Sequence, residues 1–193
     1  YFINHDIILI EVLTMIKIYD DKSKYLRTKC TPFDMPLDQE TIDLGHEMVE
    51  YLKLSQDDNY AKKHKIRSGV GLAAPQIGLT KRLFAVYVEV EDELKQYALV
   101  NPIIISYTEK KSYLKDGEGC LSVPKDHPGY VYRYNKVVMS GFDILTMKEV
   151  EITAYGYFAI VLQHEYDHLD ATLYYDRIDK RDPYKEDPNA IAI

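Results

Sequence analysis

The sequence predicts an α+β fold in which antiparallel or mixed β-sheets pack around a central metal-binding helix, flanked by an N-terminal helix and a C-terminal strand. Three observations carry this prediction. His164-Glu165-Tyr166-Asp167-His168 reads H-E-x-x-H within a segment of helical periodicity. Runs such as Leu83 to Val88 are β-branched, aromatic or apolar throughout, as largely buried strands require. Asp38 stands as an N-cap before an amphipathic stretch that continues to about Leu54.

Along the chain, the first residue is Tyr1, and Met15 opens the first stretch with ordinary strand and turn chemistry, so residues 1–14 are expected to be an appended or upstream extension. The apolar run Ile7 to Ile10 is too short to span a bilayer, and Asp6 and Glu11 flank it where an export signal carries positive charge. Neither an export signal nor a membrane anchor is expected. Thr31-Pro32 and Met35-Pro36 mark an irregular loop. The helix after Asp38 would bury Ile42, Met48, Val49 and Leu52. The polar stretch from Ser55 to Ser68 reads as a surface loop.

Strands are expected at Arg82–Val90 and Tyr97–Ser106, the second interrupted by Asn101-Pro102, which makes its middle an edge or a bend. Further strands are expected at Val131–Arg133, Lys136–Asp143 and Glu149–Ala154, although the turn from Ile144 to Lys148 has no glycine. Tyr155–Ala171 reads as the second helix, with Phe158, Val161, Leu162 and Leu169 as its apolar surface and Gly156 in its first turn. Asp179 to Asn189 reads as an exposed charged tail, and Ile191 to Ile193 as an edge strand. No internal repeat breaks the chain, so residues 15–193 are expected to form a single domain.

Composition narrows the function. With 24 Lys and Arg against 31 Asp and Glu, the net charge of −7 argues against a nucleic-acid surface, and no DNA partner is expected. The two cysteines, Cys30 and Cys120, are too few for a disulfide scaffold and suit a reducing cytoplasm.

On a helix, residues i and i+4 stack on one face, so His164 and His168 can reach a single ion, with Glu165 beside them as a candidate base. Alone, the pattern serves equally a metal site or an amphipathic helix carrying two surface histidines. Catalytic zinc-type sites take three protein ligands. Cys120, in the glycine-flanked turn Glu118-Gly119-Cys120-Leu121-Ser122, is the candidate third, against the alternative of a packed structural thiol. The run from Gly69 to Gln76 permits close backbone approach by a ligand but lacks phosphate-loop spacing; a tight turn between helix and strand is its other reading.

Together, G-x-G-x-A-A-x-Q (Gly69 to Gln76), E-G-C-x-S (Glu118 to Ser122) and Q-H-E-x-D-H (Gln163 to His168) resemble the peptide deformylases. The resemblance spans most of residues 15–193, and the insertion before the first motif is similar to the longer class common in Gram-positive bacteria, which usually ends in a strand. It implies that Cys120, His164 and His168 bind the metal, that Glu165 is general base and acid, and that Gln76 and the Leu121 N–H stabilise the oxyanion. It implies substrate contacts at Val70, Gly71, Gly119, Tyr157, Ile160 and Val161, and a brace between Asp167 and Arg133.

The implied reaction is hydrolysis of the N-formyl group from the methionine of nascent polypeptides, releasing formate in the cytoplasm, near the ribosome exit tunnel and with no membrane partner. A cramped centre beside Gly71 and Cys120 would admit a formyl group and reject an acetyl group. The peptide would pair with a strand edge near Val70 and Gly71. The implied ion is Fe2+, which with thiolate ligation brings oxygen sensitivity and an oxidisable Cys120. Spacing alone allows Zn2+, Ni2+ or Co2+.

His5, His46, His64 and His127 have no partner at ligand spacing and are expected at the surface, and Cys30 is expected to be packed. Two departures from the family pattern are Ala171, where glycine is frequent, and the bulky Tyr157 in the methionine pocket. The rivals are a zinc endopeptidase, for which no third ligand follows His168, and a catalytically silent binding module with a closed structural metal site.

Overall fold

Residues 16–193 are described in a computed structural model, so the expectations for residues 1–14 and for His5 lie outside the described residues. In chain order the elements are α1 (Gln39–Ser55), α2 (Asp58–His64), β1 (Gly71–Ala73), β2 (Leu83–Val90), β3 (Glu93–Tyr107), β4 (Lys111–Tyr113), β5 (Arg133–Tyr134), β6 (Lys136–Asp143), β7 (Lys148–Tyr155), α3 (Gly156–Leu169) and β8 (Ile191–Ala192). Strands β1-β2-β3-β6-β7 form an antiparallel sheet in that order, and β5-β4-β8 form a smaller one in which β8 runs parallel to β4. The α+β class and the C-terminal strand agree with the sequence reading.

The uninterrupted apolar run of β2 has a direct cause: both its faces are covered. Leu83 and Ala85 pack with Met48, Val49, Tyr51 and Leu52 of α1, while Phe84, Val86 and Val88 pack with Phe158, Ala159, Val161 and Leu162 of α3. Burying one such aliphatic or aromatic side chain contributes roughly 1.5–3 kcal/mol, and these two helices clamp the sheet between them. Asp38 caps α1 as expected, accepting the Thr41 N–H at 2.8 Å.

Several expectations need correction. Ser55 to Ser68 is not all loop: Asp57 accepts the Tyr60 N–H at 2.8 Å and starts α2. None of the α2 residues is buried, so no apolar periodicity announces it. The strand expected at Val131–Arg133 lies at Arg133–Tyr134, because Val131 turns into a cluster with Val123, Tyr174 and Ile178. Of the two readings for Gly69 to Gln76, the tight turn does not hold at Gly71–Ala73, which is strand β1, in keeping with the strand edge expected near Val70 and Gly71; the three-residue β4 had no expectation. At Asn101-Pro102 strand β3 continues, with a register shift between Val100 and Ile103. Its pairing with β2 ends at Val100, so Pro102 owes that side no N–H.

The glycine-free β6–β7 turn forms with Met147 at φ 55°. The Asp143 carboxylate braces the turn, accepting from Thr146 N at 3.2 Å and Thr146 Oγ1 at 2.8 Å, and ties it to β3 by accepting from Ala98 N at 3.0 Å. The charged tail is exposed but tied down, since Tyr130 N donates to Pro183 O at 2.8 Å and the Tyr132 hydroxyl donates to Lys185 O at 2.7 Å. Among the described residues no helix is long and apolar enough to cross a membrane.

Helix α3 ends in a Schellman turn: Thr172 N donates to Asp167 O at 2.9 Å and Ala171 N to His168 O at 3.2 Å. Ala171 occupies the left-handed position, φ 59°, that favours glycine. Ala171→Gly is therefore expected to stabilise the fold by roughly 0.5–1 kcal/mol, relief of strain outweighing the added chain entropy. Urea denaturation checks this; an unchanged or lower midpoint contradicts it.

Candidate active site

The site assembles where α3 passes behind β1. Cys120, His164 and His168 are grouped so that one donor atom of each lies within 4.8 Å of the others. Cys120 Sγ is 3.3 Å from His168 Nε2. His164 Nδ1 is 2.7 Å from Glu118 Oε2, which leaves its Nε2 as the free ring nitrogen. The helical i, i+4 stacking of the two imidazoles and the turn around Cys120 together put two nitrogens and one sulfur at one point.

Glu118 is itself held. Arg133 Nε donates to Glu118 Oε1 at 2.5 Å and Nη2 to Oε2 at 2.8 Å, while Nη1 donates to Asp167 Oδ2 at 2.9 Å. Arg177 closes the outer end with two bonds to Asp167, both at 2.5 Å. Burial alone would raise the Glu118 carboxyl, but Arg133 and His164 outweigh it and hold the group at about 2. The fork geometry of Arg133 is what allows one buried cation to orient two carboxylates.

The donor set is prepared for a positive charge. Burial opposes the protonated form of His164, yet its interactions with Cys120 and Glu118 raise it well above the ordinary imidazole range. Burial, reinforced by the charge on His164, lowers His168 well below that range. A cysteine sulfur, a carboxylate-oriented imidazole and a neutral imidazole fit a divalent ion of the first transition row, and leave room in its coordination for more than protein donors.

Glu165 is enclosed beside this triad. Burial is the main cause that pushes its carboxyl up, to about 7, against the charges of His164 and Arg133. Its Oε2 is buried without a hydrogen-bond partner among the described residues. A Cβ on Gly71 would lie 2.2 Å from Glu165 Oε1, so only glycine lets the β1 backbone come this close. Likewise a Cβ on Gly69 would meet Leu121 Cδ1 at 2.7 Å.

Gln76 is oriented by its own neighbourhood: Oε1 accepts the Ala73 N–H at 2.7 Å, which turns Nε2 toward Cys120 Sγ at 3.5 Å and Ser122 Oγ at 3.2 Å. Among the described residues no acceptor takes the Leu121 N–H. A cleft of about 260 Å³ opens onto these groups. Every substrate-contact position inferred from the sequence lines it: Val70, Gly71, Gly119, Tyr157, Ile160 and Val161, together with Gln76, Cys120, Leu121, His164 and Glu165. His168 does not line the cleft and stands behind Cys120.

Sequence reasoning placed no role on Glu118, although a carboxylate two residues before Cys120 and an arginine downstream of it, Arg133, were a usable signal. It also passed over Arg67, Ser68 and Leu114, which line the cleft. His46 and His127 are exposed, His64 is half-buried against the Tyr60 ring, and Cys30 is buried, as expected apart from the stacking.

Residues 15–184 match the family model described as Polypeptide deformylase. The chain is 46% identical over 184 residues to Peptide deformylase 2 of Bacillus subtilis, covering 94% of this chain and 99% of that one. It is 42% identical to the peptide deformylase of Macrococcus caseolyticus, over 94% of this chain and 100% of the relative. Among solved structures, the peptide deformylase of Ehrlichia chaffeensis superposes with a TM-score of 0.72 at 29% identity, covering 87% of this chain and 90% of that one. The peptide deformylase of Thermotoga maritima gives 0.68 at 28% identity, covering 86% and 98%.

Removing Arg133 leaves Glu118 without its buried counter-charge. Arg133→Ala is expected to cost about 3–5 kcal/mol of stability, the usual cost of stranding a buried charge, read by urea denaturation; a loss below about 1 kcal/mol contradicts a structural role for the network.

Proposed function

Since the chain belongs to the peptide deformylase family and is a metal-dependent hydrolase that removes the N-formyl group from nascent peptides, we propose which of its side chains perform each step. Cys120, His164 and His168 hold the metal, as their convergence supports. When bound, a divalent ion supplies Lewis acidity, acidifying a water and polarising the formyl carbonyl. Glu165 takes the proton of the attacking water on its unpartnered carboxylate oxygen and passes it to the departing methionine nitrogen. The C–O bond forms first, making the formyl carbon tetrahedral, and the C–N bond then breaks as its nitrogen takes the proton from Glu165, leaving formate and a free amino terminus.

Gln76 Nε2 and the Leu121 N–H donate to the oxygen that gains negative charge. Support comes from the fixed rotamer of Gln76 and from the unclaimed Leu121 donor. The methionine side chain lies against Val70, Tyr157, Ile160 and Val161, while Gly71 and Gly119 leave space for backbone and formyl group. The free edge of β1 pairs with the peptide main chain, which gives affinity with little demand on sequence. Residues 15–193 act as one catalytic domain, a reading supported by the family match over residues 15–184.

The ion in the cell is Fe2+, with Zn2+, Ni2+ or Co2+ able to replace it; the mixed thiolate and imidazole donor set suits all four. The enzyme acts in the cytoplasm on chains emerging from the ribosome. The observation that carries the whole reading is the convergence of three donors beside the enclosed Glu165. Its test is anaerobic incubation of iron- or nickel-loaded protein with formyl-Met-Ala-Ser, with formate as the readout. Formate release is expected, and its absence with the ion demonstrably bound contradicts the reading.

Two variants sharpen it. Glu165→Gln should keep its metal and lose at least about a hundredfold in kcat, whereas near wild-type turnover would remove Glu165 from the role of base. Gly71→Ala should fold but lose on the order of a hundredfold in kcat, since its methyl displaces Glu165 by an ångström or more; unaltered kcat would mean that the close approach has no catalytic importance.

A further inference from the structure

We propose that Arg67 makes this enzyme favour acidic side chains among the residues that follow formylmethionine. The inference rests on the deformylase reading above and adds a substrate preference to it. Arg67 is the one lysine or arginine among the residues lining the cleft. It lies at the surface, yet its position is set, because Nη1 donates to Val123 O at 2.8 Å. Among the described residues no carboxylate pairs with it. The cleft's own carboxylate nearest in kind, Glu118, is taken up by Arg133 and His164. A guanidinium anchored through one nitrogen, with its remaining donors uncommitted, is suited to receive a carboxylate.

The path of the peptide brings its side chains to this point. The reacting centre adjoins Gly71, and from there the lining runs back through Val70, Gly69 and Ser68 to Arg67. That segment is fixed from behind: Gly69 N donates to Ser55 Oγ at 3.1 Å, Gly69 O accepts from Gln56 Nε2 at 2.9 Å, and Val70 O accepts from Tyr87 N at 2.9 Å. A peptide with its formyl group at Glu165 therefore leaves antiparallel to β1. Four residues of extended chain span about 13 Å, and with the reach of its own side chain Arg67 faces the second to fourth residue of the substrate. Lys62, Lys63 and Lys65 precede it in sequence and add to the positive field in a chain whose net charge is −7.

A bracing role alone, through the bond to Val123, would alter turnover of all peptides alike. A selecting role changes the ratio between them. The experiment compares metal-loaded enzyme on C-terminally amidated formyl-Met peptides carrying Glu or Lys at position two, three or four, with formate as readout. At low salt a preference of about tenfold in kcat/KM for Glu over Lys is expected at one or more of these positions, residing in KM, and shrinking at high salt. Arg67→Gln should abolish the preference, Arg67→Lys should retain part of it, and Lys148→Gln, an equal change of net charge far from the cleft, should leave it intact. A ratio near one in the wild type, or a ratio that survives Arg67→Gln, overturns the inference while formyl-Met-Ala-Ser is still deformylated. No formate from any peptide overturns the deformylase reading and this preference with it.

Discussion

The buried Arg133 guanidinium is the constraint on which the rest of the site depends. It joins Glu118, on the turn that carries Cys120, to Asp167, on the helix that carries both histidines. Through Glu118 it also determines which nitrogen of His164 is left free, namely Nε2. A charge placed so deeply is costly unless every donor is satisfied, and here Nε, Nη1 and Nη2 all donate to carboxylates. The interaction is better understood as a device for registering two chain segments against each other than as a source of net stability.

The scaffold brings those segments together for ordinary reasons of packing. Helix α3 is apolar on the side that meets Phe84, Val86 and Leu99 of the large sheet, and it turns the face that carries His164 and His168 toward β1 and the Cys120 turn. The small residues of the first motif matter where α3 and β1 touch. Glycine at position 71 lets the backbone approach Glu165 more closely than any side chain would permit, so main chain packs directly against this buried carboxyl at the cleft.

Much of this was legible in the sequence because the informative features were local. The Asp38 cap, the two-sided apolar run of β2, the helical spacing of His164 and His168 and the terminal strand at Ile191 each follow from residues near one another in the chain. What escaped depended on partners distant in sequence or on surfaces that bury nothing. Helix α2 has no apolar face. Strand β4 is three residues long and exists through its pairing with β5 and β8. Glu118 acquires its role only when the fold brings Arg133 and His164 to it, 15 and 46 residues away. Ala171 stood out by comparison with a family pattern, and its left-handed backbone supplies the physical meaning of that difference.

The central claim is that one thiolate and two imidazoles, aligned by the Arg133 network, hold a single divalent ion. Anaerobic loading with Co2+ followed by absorption spectroscopy tests it most directly, because thiolate ligation gives an intense near-ultraviolet charge-transfer band. The account predicts saturation at one ion per chain, with that band present in the wild type, lost in Cys120→Ser, and reached only at higher Co2+ concentration in Glu118→Ala. A wild-type protein that binds cobalt without the band, or a Cys120→Ser variant that retains it, would contradict the claim.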